Sequence, residues 1–573
     1  MADALAGQFA RLQKLRTGPL ILELDLTDGL ADAPPADPVS AVLSMRRTRL
    51  ADILEGLRRA RTDDRVRALV VKVGSGQIGL AKIQELRDAV AGFRESGKLT
   101  VAWTESFGEF VRGNLPYYLA TAFDQIWLQR TGTLGLTGVA VEQIFVRGAL
   151  EKAGVDFQSG KRHEYKSAAD QLTETGFTGP AREAAERLAE SITEQLAGAI
   201  ATSRGKTVSE ARELLGRGPF LAQQALDLGL VDALGYRDEV YDQVRKEAGA
   251  DSSLLYLQRY QRTQSLAGLG RRLRGQAQGE EYVGVIHVHG PIRQGRSGRS
   301  GVGSDTVAAA LRAAEADRKV RAVVLRVDSP GGSATASDVI WREVLLLRGR
   351  STPVIVSMGD VAASGGYFVA APADVIVTQP GTLTGSIGVI MGKPVLRDLF
   401  ERSGVSVDSV AENSNALMFS PSHPFSDDEW ARINEWLDAI YDDFTEKVAT
   451  GRQMSLSRVR ELARGRVWSG ADAVAHGLAD ETGGLSDAIA IARKRGGLPE
   501  DSPVRVYPRL GPLDQLRPAE SSESRPAAAA AIDPAGALLS AFTEGWGPAW
   551  QFAARAGLPP YGPLMLPGVW RIS

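Results

Sequence analysis

The sequence contains no cysteine. Disulfides, thiol nucleophiles and cysteine-ligated metals are therefore excluded, and the redox compartment is left open. Histidine is nearly as scarce: His163, His287, His289, His423 and His476 show no H-E-x-x-H or similar ligand spacing, so no metal site is expected. Charge of neither sign dominates. A net charge of -2 gives no electrostatic reason to expect nucleic acid as a partner. No run reaches the roughly 18 apolar residues of a membrane span, and the opening MADALAGQFARLQKLRTG has no apolar h-region. The expectation from these absences is a cytoplasmic or peripheral location.

What the chain does have is length and repetition. Its 573 residues exceed what one core normally serves, and its 43% apolar content is that of a folded protein. DDRVRALVVKVGSG in the first half is answered by ADRKVRAVVLRVDSPGG in the second, setting Arg67 against Arg321. FDQIWLQRTGTLGLTGV is answered by ADVIVTQPGTLTGSIGV, with Asp124 against Asp374, and LEKAGV by FERSGV. The offset stays at roughly 250 residues throughout, which marks a duplicated domain rather than a solenoid of short repeats. The expected organisation is an N-terminal extension (1–17), a first unit (18–260), a linker rich in Gly, Gln and Arg (261–280), a second unit (281–510), and a Pro/Ala-rich spacer with an aromatic tail (511–573). That tail carries Trp546, Trp550, Tyr561 and Trp570, and docking on the body, a membrane surface or a partner are all open to it.

Within each unit, apolar β-branched runs alternate with helical stretches. This predicts an α/β fold, tandemly duplicated, with largely parallel sheets and crossover helices. Residues 426–450 read as an amphipathic helix opened by a Ser426/Glu429 capping box, with Ile433, Leu437, Tyr441, Phe444 and Val448 at helical spacing as core. Its counterpart in the first unit carries Leu188, Ile192, Leu196 and Ile200 every fourth residue.

The stretch MGDVAASGGYFVA (358–370) sets Ser364 and two glycines between an apolar strand and a helix-compatible run. A Ser on such a strand-to-helix turn presents its hydroxyl together with the next backbone N–H, a geometry that suits a nucleophile. Alone, a Ser beside two glycines is also an ordinary turn. The repeats sharpen the question, because Ser364 falls against Asn114 and DSPGG (328–332) against GSGQIG. Conversely, Lys166 of GKRHEYKSAAD falls against Ala416, so each half lacks what the other holds. A serine hydroxyl needs a base. No His stands in a recognisable triad motif, and Lys serves only if burial strips its proton; on composition alone Lys166 reads as a solvated charge.

The motifs VLRVDSPGG, MGDVAASGGYFVA and PGTLTGSIGV, with YKSA in the preceding half, resemble signal peptide peptidase A. This is the long, duplicated form of protease IV, a family of Ser-Lys peptidases with a ClpP/crotonase-like fold. The resemblance covers residues 18–509. It implies that Ser364 is the nucleophile, Lys166 the general base and Ser386 the hydroxyl that orients the lysine amine. The oxyanion hole would come from the N–H of Gly365 with that of Gly331 or Gly332. It further implies a homotetramer that degrades apolar peptides such as cleaved signal peptides, without cofactor, in association with a membrane. The sequence departs from familiar members in its lack of an N-terminal apolar anchor and in its C-terminal tail. Two other readings stand beside this one: a non-catalytic, membrane-associated scaffold of the same fold, and a crotonase-like acyl-CoA enzyme, which needs no Ser-Lys pair.

Overall fold

A computed structural model describes residues 15, 17–33, 48–74, 78–109, 111–261, 280–298 and 301–507, with two short strands at 564–565 and 571–572. Most of the expected N-terminal extension, the linker and nearly all of the C-terminal tail lie outside the described residues. The chain forms two compact units that cut across the sequence repeats: one holds residues 1–140 and 190–280, the other 141–189 and 281–572.

The first unit is built on a six-stranded sheet. Its order is Ala233–Leu234, Gln125–Leu128, Leu99–Thr104, Val66–Lys72, Leu20–Asp25 and Ser253–Tyr256, with every pairing parallel. Val101, Ala68 and Ile21 are buried on adjacent strands, as near-continuous apolar runs in a doubly covered parallel sheet require.

The second unit repeats the design. Val504–Tyr507, Tyr282–His289, Val320–Ser329, Val354–Ala363 and Leu383–Gly385 run in parallel, and Val467–Ser469 closes the edge antiparallel. Strand Val354–Ala363 is shared between two neighbours: its first half pairs with Val375–Thr378 and its last three residues with Leu383–Gly385. That split carries the chain out of the sheet at Ala363, where the helix Gly365–Ala370 begins.

The duplication is visible in the hydrogen bonds. Asp124 accepts from the Thr100 N–H at 3.0 Å and pairs with Arg94, while Asp374 accepts from Val354 N–H at 2.8 Å and pairs with Arg348. The buried hydroxyls of Tyr117 and Tyr367 donate to the carbonyls of Leu230 and Leu478 at 2.6 and 2.8 Å. These interactions satisfy backbone groups at matching points of the two sheets, which is why the residues recur.

The predicted amphipathic helix is Asp427–Arg452, with the Ser426/Glu429 capping box formed and Ile433, Leu437, Tyr441, Phe444 and Val448 in the core of the second unit. Its counterpart, Gly179–Arg204, buries Leu188, Ile192, Leu196 and Ile200.

One feature of the second unit comes from the first sequence repeat. Strand Asp156–Arg162 pairs antiparallel with Val389–Val395 along its full length, from Val389 opposite Arg162 to Val395 opposite Asp156. Gly160 fits because a Cβ there would meet Leu437 Cδ1 at 2.9 Å. This ladder fixes the segment that follows it, and Lys166 lies four residues beyond its end.

Candidate active site

Ser364 is the pivot of the strand-to-helix turn. Its backbone has φ 54° and ψ -116°, a conformation costly for a residue with a Cβ and one that persists only where the surroundings enforce it. Here the enforcement is a ladder on one side and a helix on the other: Ser364 N–H donates to Gly385 O at 2.8 Å, and its carbonyl accepts from Phe368 N–H at 2.8 Å. Gly366 is required close by, since a Cβ there would lie 2.5 Å from Ser329 O. The sequence pattern suggests an exposed hydroxyl, but Ser364 is fully buried. The reason is that the Lys166 side chain is packed directly over it.

Lys166 enters from the segment after Asp156–Arg162. Its Nζ lies 2.8 Å from Ser364 Oγ, 2.9 Å from Ser386 O and 3.0 Å from Ser386 Oγ. The side chain is 0% exposed. Burial alone holds its pKa well below the ordinary lysine range. A neutral amine has two N–H donors and one lone pair. The carbonyl of Ser386 can only accept, so one N–H goes there, the second goes to Ser386 Oγ, and the lone pair is left for the Ser364 hydroxyl. The three distances match that inventory.

Ser386 is itself held in an unusual backbone conformation, φ 49°, with its N–H donating to Arg466 O at 2.7 Å. The same loop cradles the lysine from behind. Arg464 O accepts from Tyr165 N–H, and Gly465 (φ 83°) sits so close that a Cβ would fall 2.5 Å from Lys166 Cβ. Sequence reasoning missed this Ala463–Arg466 loop; setting it against LLGRGPF of the first repeat would have flagged the displaced glycine.

Gly331 and Gly332 form a two-residue strand with φ 100° and 152°, values that favour glycine. They lie against Gly365, whose hypothetical Cβ would be 3.1 Å from both Gly331 Cα and Gly332 N. The three expected oxyanion glycines therefore converge beside Ser364. A detail not foreseen is that Gly331 N–H donates to Ser329 Oγ at 3.2 Å.

The counterpart position in the first unit holds an amide in place of the hydroxyl. Asn114 opens the corresponding helix, is buried, donates to Gly138 O at 2.8 Å and accepts from Thr137 N–H at 3.2 Å. Its amide is spent on the backbone. Among the described residues no helix is long and apolar enough to cross a membrane.

Comparison with known proteins identifies the family. The sequence profile of peptidase family S49 matches residues 93–251 and 347–498, one segment in each repeat. A chloroplast serine protease of Arabidopsis thaliana, SPPA, is 31% identical over 473 residues, covering 82% of this chain and 68% of its own. Protease 4 of Haemophilus influenzae is 30% identical over 477 residues, covering 80% of this chain and 74% of its own. A solved structure of a ClpP1 mutant from Listeria monocytogenes covers 36% of this chain at 14% identity with a TM-score of 0.24. The duplicated chain, with its family profile in both halves and SPPA and protease 4 relatives matched over at least two thirds of their own lengths, belongs to peptidase family S49 and is a serine peptidase.

Proposed function

We propose that Ser364 and Lys166 are a catalytic dyad that hydrolyses apolar peptides, cleaved signal peptides among them. The observation that carries this reading is the 2.8 Å approach of a fully buried lysine amine to the hydroxyl of a strained turn serine. Such a lysine is neutral at moderate pH and becomes a base. Ser364 Oγ attacks the peptide carbonyl carbon while its proton passes to Lys166 Nζ. The resulting ammonium donates to Ser386 O and Oγ and then protonates the leaving amine. Water, deprotonated by the regenerated amine, releases the acyl group from Ser364. Gly365 N–H and one from Gly331 or Gly332 hold the oxyanion; each such donor is typically worth ~3–4 kcal/mol, or ~100–1,000-fold in rate. Gly331 would release Ser329 to take part. An acyl-CoA chemistry would leave the buried lysine without a use. The preference for apolar substrates follows the relative in Enterococcus faecium described as a putative signal peptide peptidase, 36% identical over 197 residues.

A fluorophosphonate probe tests the dyad. The expected product is one adduct, on the peptide that carries Ser364, with peptide hydrolysis lost in proportion to labelling. An adduct on another serine that accounts for the lost activity would move the nucleophile elsewhere.

The same reading includes a homotetramer. By the internal repeat, the counterpart of strand Asp156–Arg162 is 406–412, which forms no strand and is exposed throughout, with Val405, Val407 and Val410 facing solvent. A segment that pairs in one repeat and is left bare in the other calls for a second copy. Val405→Asp, Val407→Asp and Val410→Asp together are expected to lower the mass seen by sedimentation; a wild-type monomer, or an unchanged mass in the variant, rejects the tetramer.

A further inference from the structure

Lys166 sits on a stretch, 163–169, that is neither helix nor strand. Two of its backbone bonds are turn bonds internal to the stretch: Lys166 N–H donates to His163 O at 3.1 Å, and Ser167 N–H to Tyr165 O at 2.9 Å. Such bonds set local shape and leave the placement of the stretch as a whole to its two ends. Placement matters here, because a lysine reaches its partners on a flexible four-carbon stem. Its amine keeps three contacts of 2.8 to 3.0 Å only if the main chain that carries it is fixed.

One ion pair joins the two ends. Lys161 Nζ donates to Asp170 Oδ1 at 2.7 Å. Lys161 belongs to strand Asp156–Arg162, opposite Ile390, and Asp170 opens the short helix Asp170–Thr173. The second carboxylate oxygen accepts from Thr178 Oγ1 at 3.4 Å, and Asp170 N–H donates to Ser167 O at 3.1 Å, one residue from the lysine. Between the ends, Ala168 and Ala169 cluster with Ile390. The Asp170 side chain is only 3% exposed, and a charge so buried requires a partner.

The internal repeat separates a service to the base from a service to the fold. The offset that sets Lys166 against Ala416 sets Lys161 against Ala411 and Asp170 against Ser420. Both charges are missing from the repeat that has no base. Asp124 and Asp374, which bond a neighbouring strand of each sheet, are by contrast present in both.

We infer that Lys161 and Asp170 are positioning residues for the general base: their ion pair clamps the ends of the 163–169 stretch and so delivers the Lys166 amine to Ser364. This rests on the reading of Lys166 as base. The clamp acts through place and dryness, not through charge. The hydrogen bonds of Lys166 Nζ go to Ser364 and Ser386, and burial, not a neighbouring charge, lowers its pKa.

The full-length chain carrying Asp170→Ala tests the clamp, with the rate of Ser364 labelling by a fluorophosphonate followed against pH beside peptide turnover. Labelling and kcat should fall about 100-fold near neutral pH, the scale on which a ~1 Å misplacement acts. KM should stay near its wild-type value, since neither residue is asked to touch substrate. The rise of both rates with pH should move upward, because a loosened stretch lets water reach the amine and its pKa returns toward the ordinary lysine range. Lys161→Met should behave in the same way, whereas Lys161→Arg, which can still pair, should stay close to wild type. If Asp170→Ala does not fold, Asp170→Asn carries the test, with the same directions expected. It keeps the shape and an acceptor for Thr178. Unchanged labelling in a folded variant overturns the clamp. So do fewer reactive sites that each label at the wild-type rate and pH, which is what a loss of stability alone would give. Lys166→Met labelling at the wild-type rate would reject the base itself; a slow Lys166→Met beside an unaltered Asp170→Ala rejects the clamp alone.

Discussion

Ser364→Ala is expected to lower kcat/KM for peptide hydrolysis by about 10,000-fold or more, the scale on which removing a serine nucleophile acts. The fold should survive. Alanine has the same Cβ in the same φ 54° turn, so the backbone strain is unchanged, and the bonds that hold the turn, to Gly385 O and from Phe368 N–H, are made by the main chain. What is lost is one partner of Lys166, which keeps its two bonds to Ser386. The internal repeat supplies the control. Asn114→Ala removes bonds to Gly138 O and Thr137 N–H, at a cost of about 1–2 kcal/mol in stability, yet should leave turnover nearly unchanged. Circular dichroism and thermal melts would confirm that both variants are folded. Turnover above about one part in a hundred in a Ser364→Ala preparation free of wild type would reject Ser364 as the nucleophile.

Much of this fold is legible in the sequence because the signals are local. The Ser426/Glu429 box is a three-residue spacing, and the core face of Asp427–Arg452 is a periodicity; both report geometry within one helix. The duplication is also readable, since Asp124 and Asp374 perform the same bond to a neighbouring strand and must stand at the same point of each repeat. The lysine was not readable in that way. Nothing local in GKRHEYKSAAD distinguishes a buried amine from a solvated one, because what buries it is a ladder to Val389–Val395 and a loop at Ala463–Arg466, both more than 200 residues away. The resemblance and the Lys166/Ala416 contrast pointed to it; periodicity alone did not. The same holds for the burial of Ser364, which a turn motif presents as exposed and which the incoming lysine covers. Ser329 escaped for the same reason: its partner, Gly331, looks like a turn glycine until something is seen paired to it.

Lys166→Arg should abolish hydrolysis while keeping a positive charge of similar length, and the pH profile should show why. In the wild type, desolvation lowers the lysine pKa, so the neutral amine is present at moderate pH; kcat/KM should rise through that ionisation and persist into alkaline solution. A guanidinium stays protonated across the working range, so the arginine variant gains no active limb at any pH. Stability gives a second, independent reading of the same proton. Between the lowered folded-state pKa and the unfolded value near 10.5, the unfolded chain binds one proton more than the folded chain. Stability attributable to this group therefore increases with pH across that window, by up to about 1.4 kcal/mol per pH unit, and is flat outside it. Lys166→Met, apolar and without a titrating group, lacks that contribution. The difference in melting temperature between the wild type and Lys166→Met should accordingly shift in favour of the wild type as pH rises through the window, whatever other groups titrate. An arginine variant with the wild-type pH–rate profile, or a methionine variant whose melting temperature tracks the wild type at every pH, would mean that Lys166 is not the proton acceptor, and His163, three residues before it, becomes the next group to test.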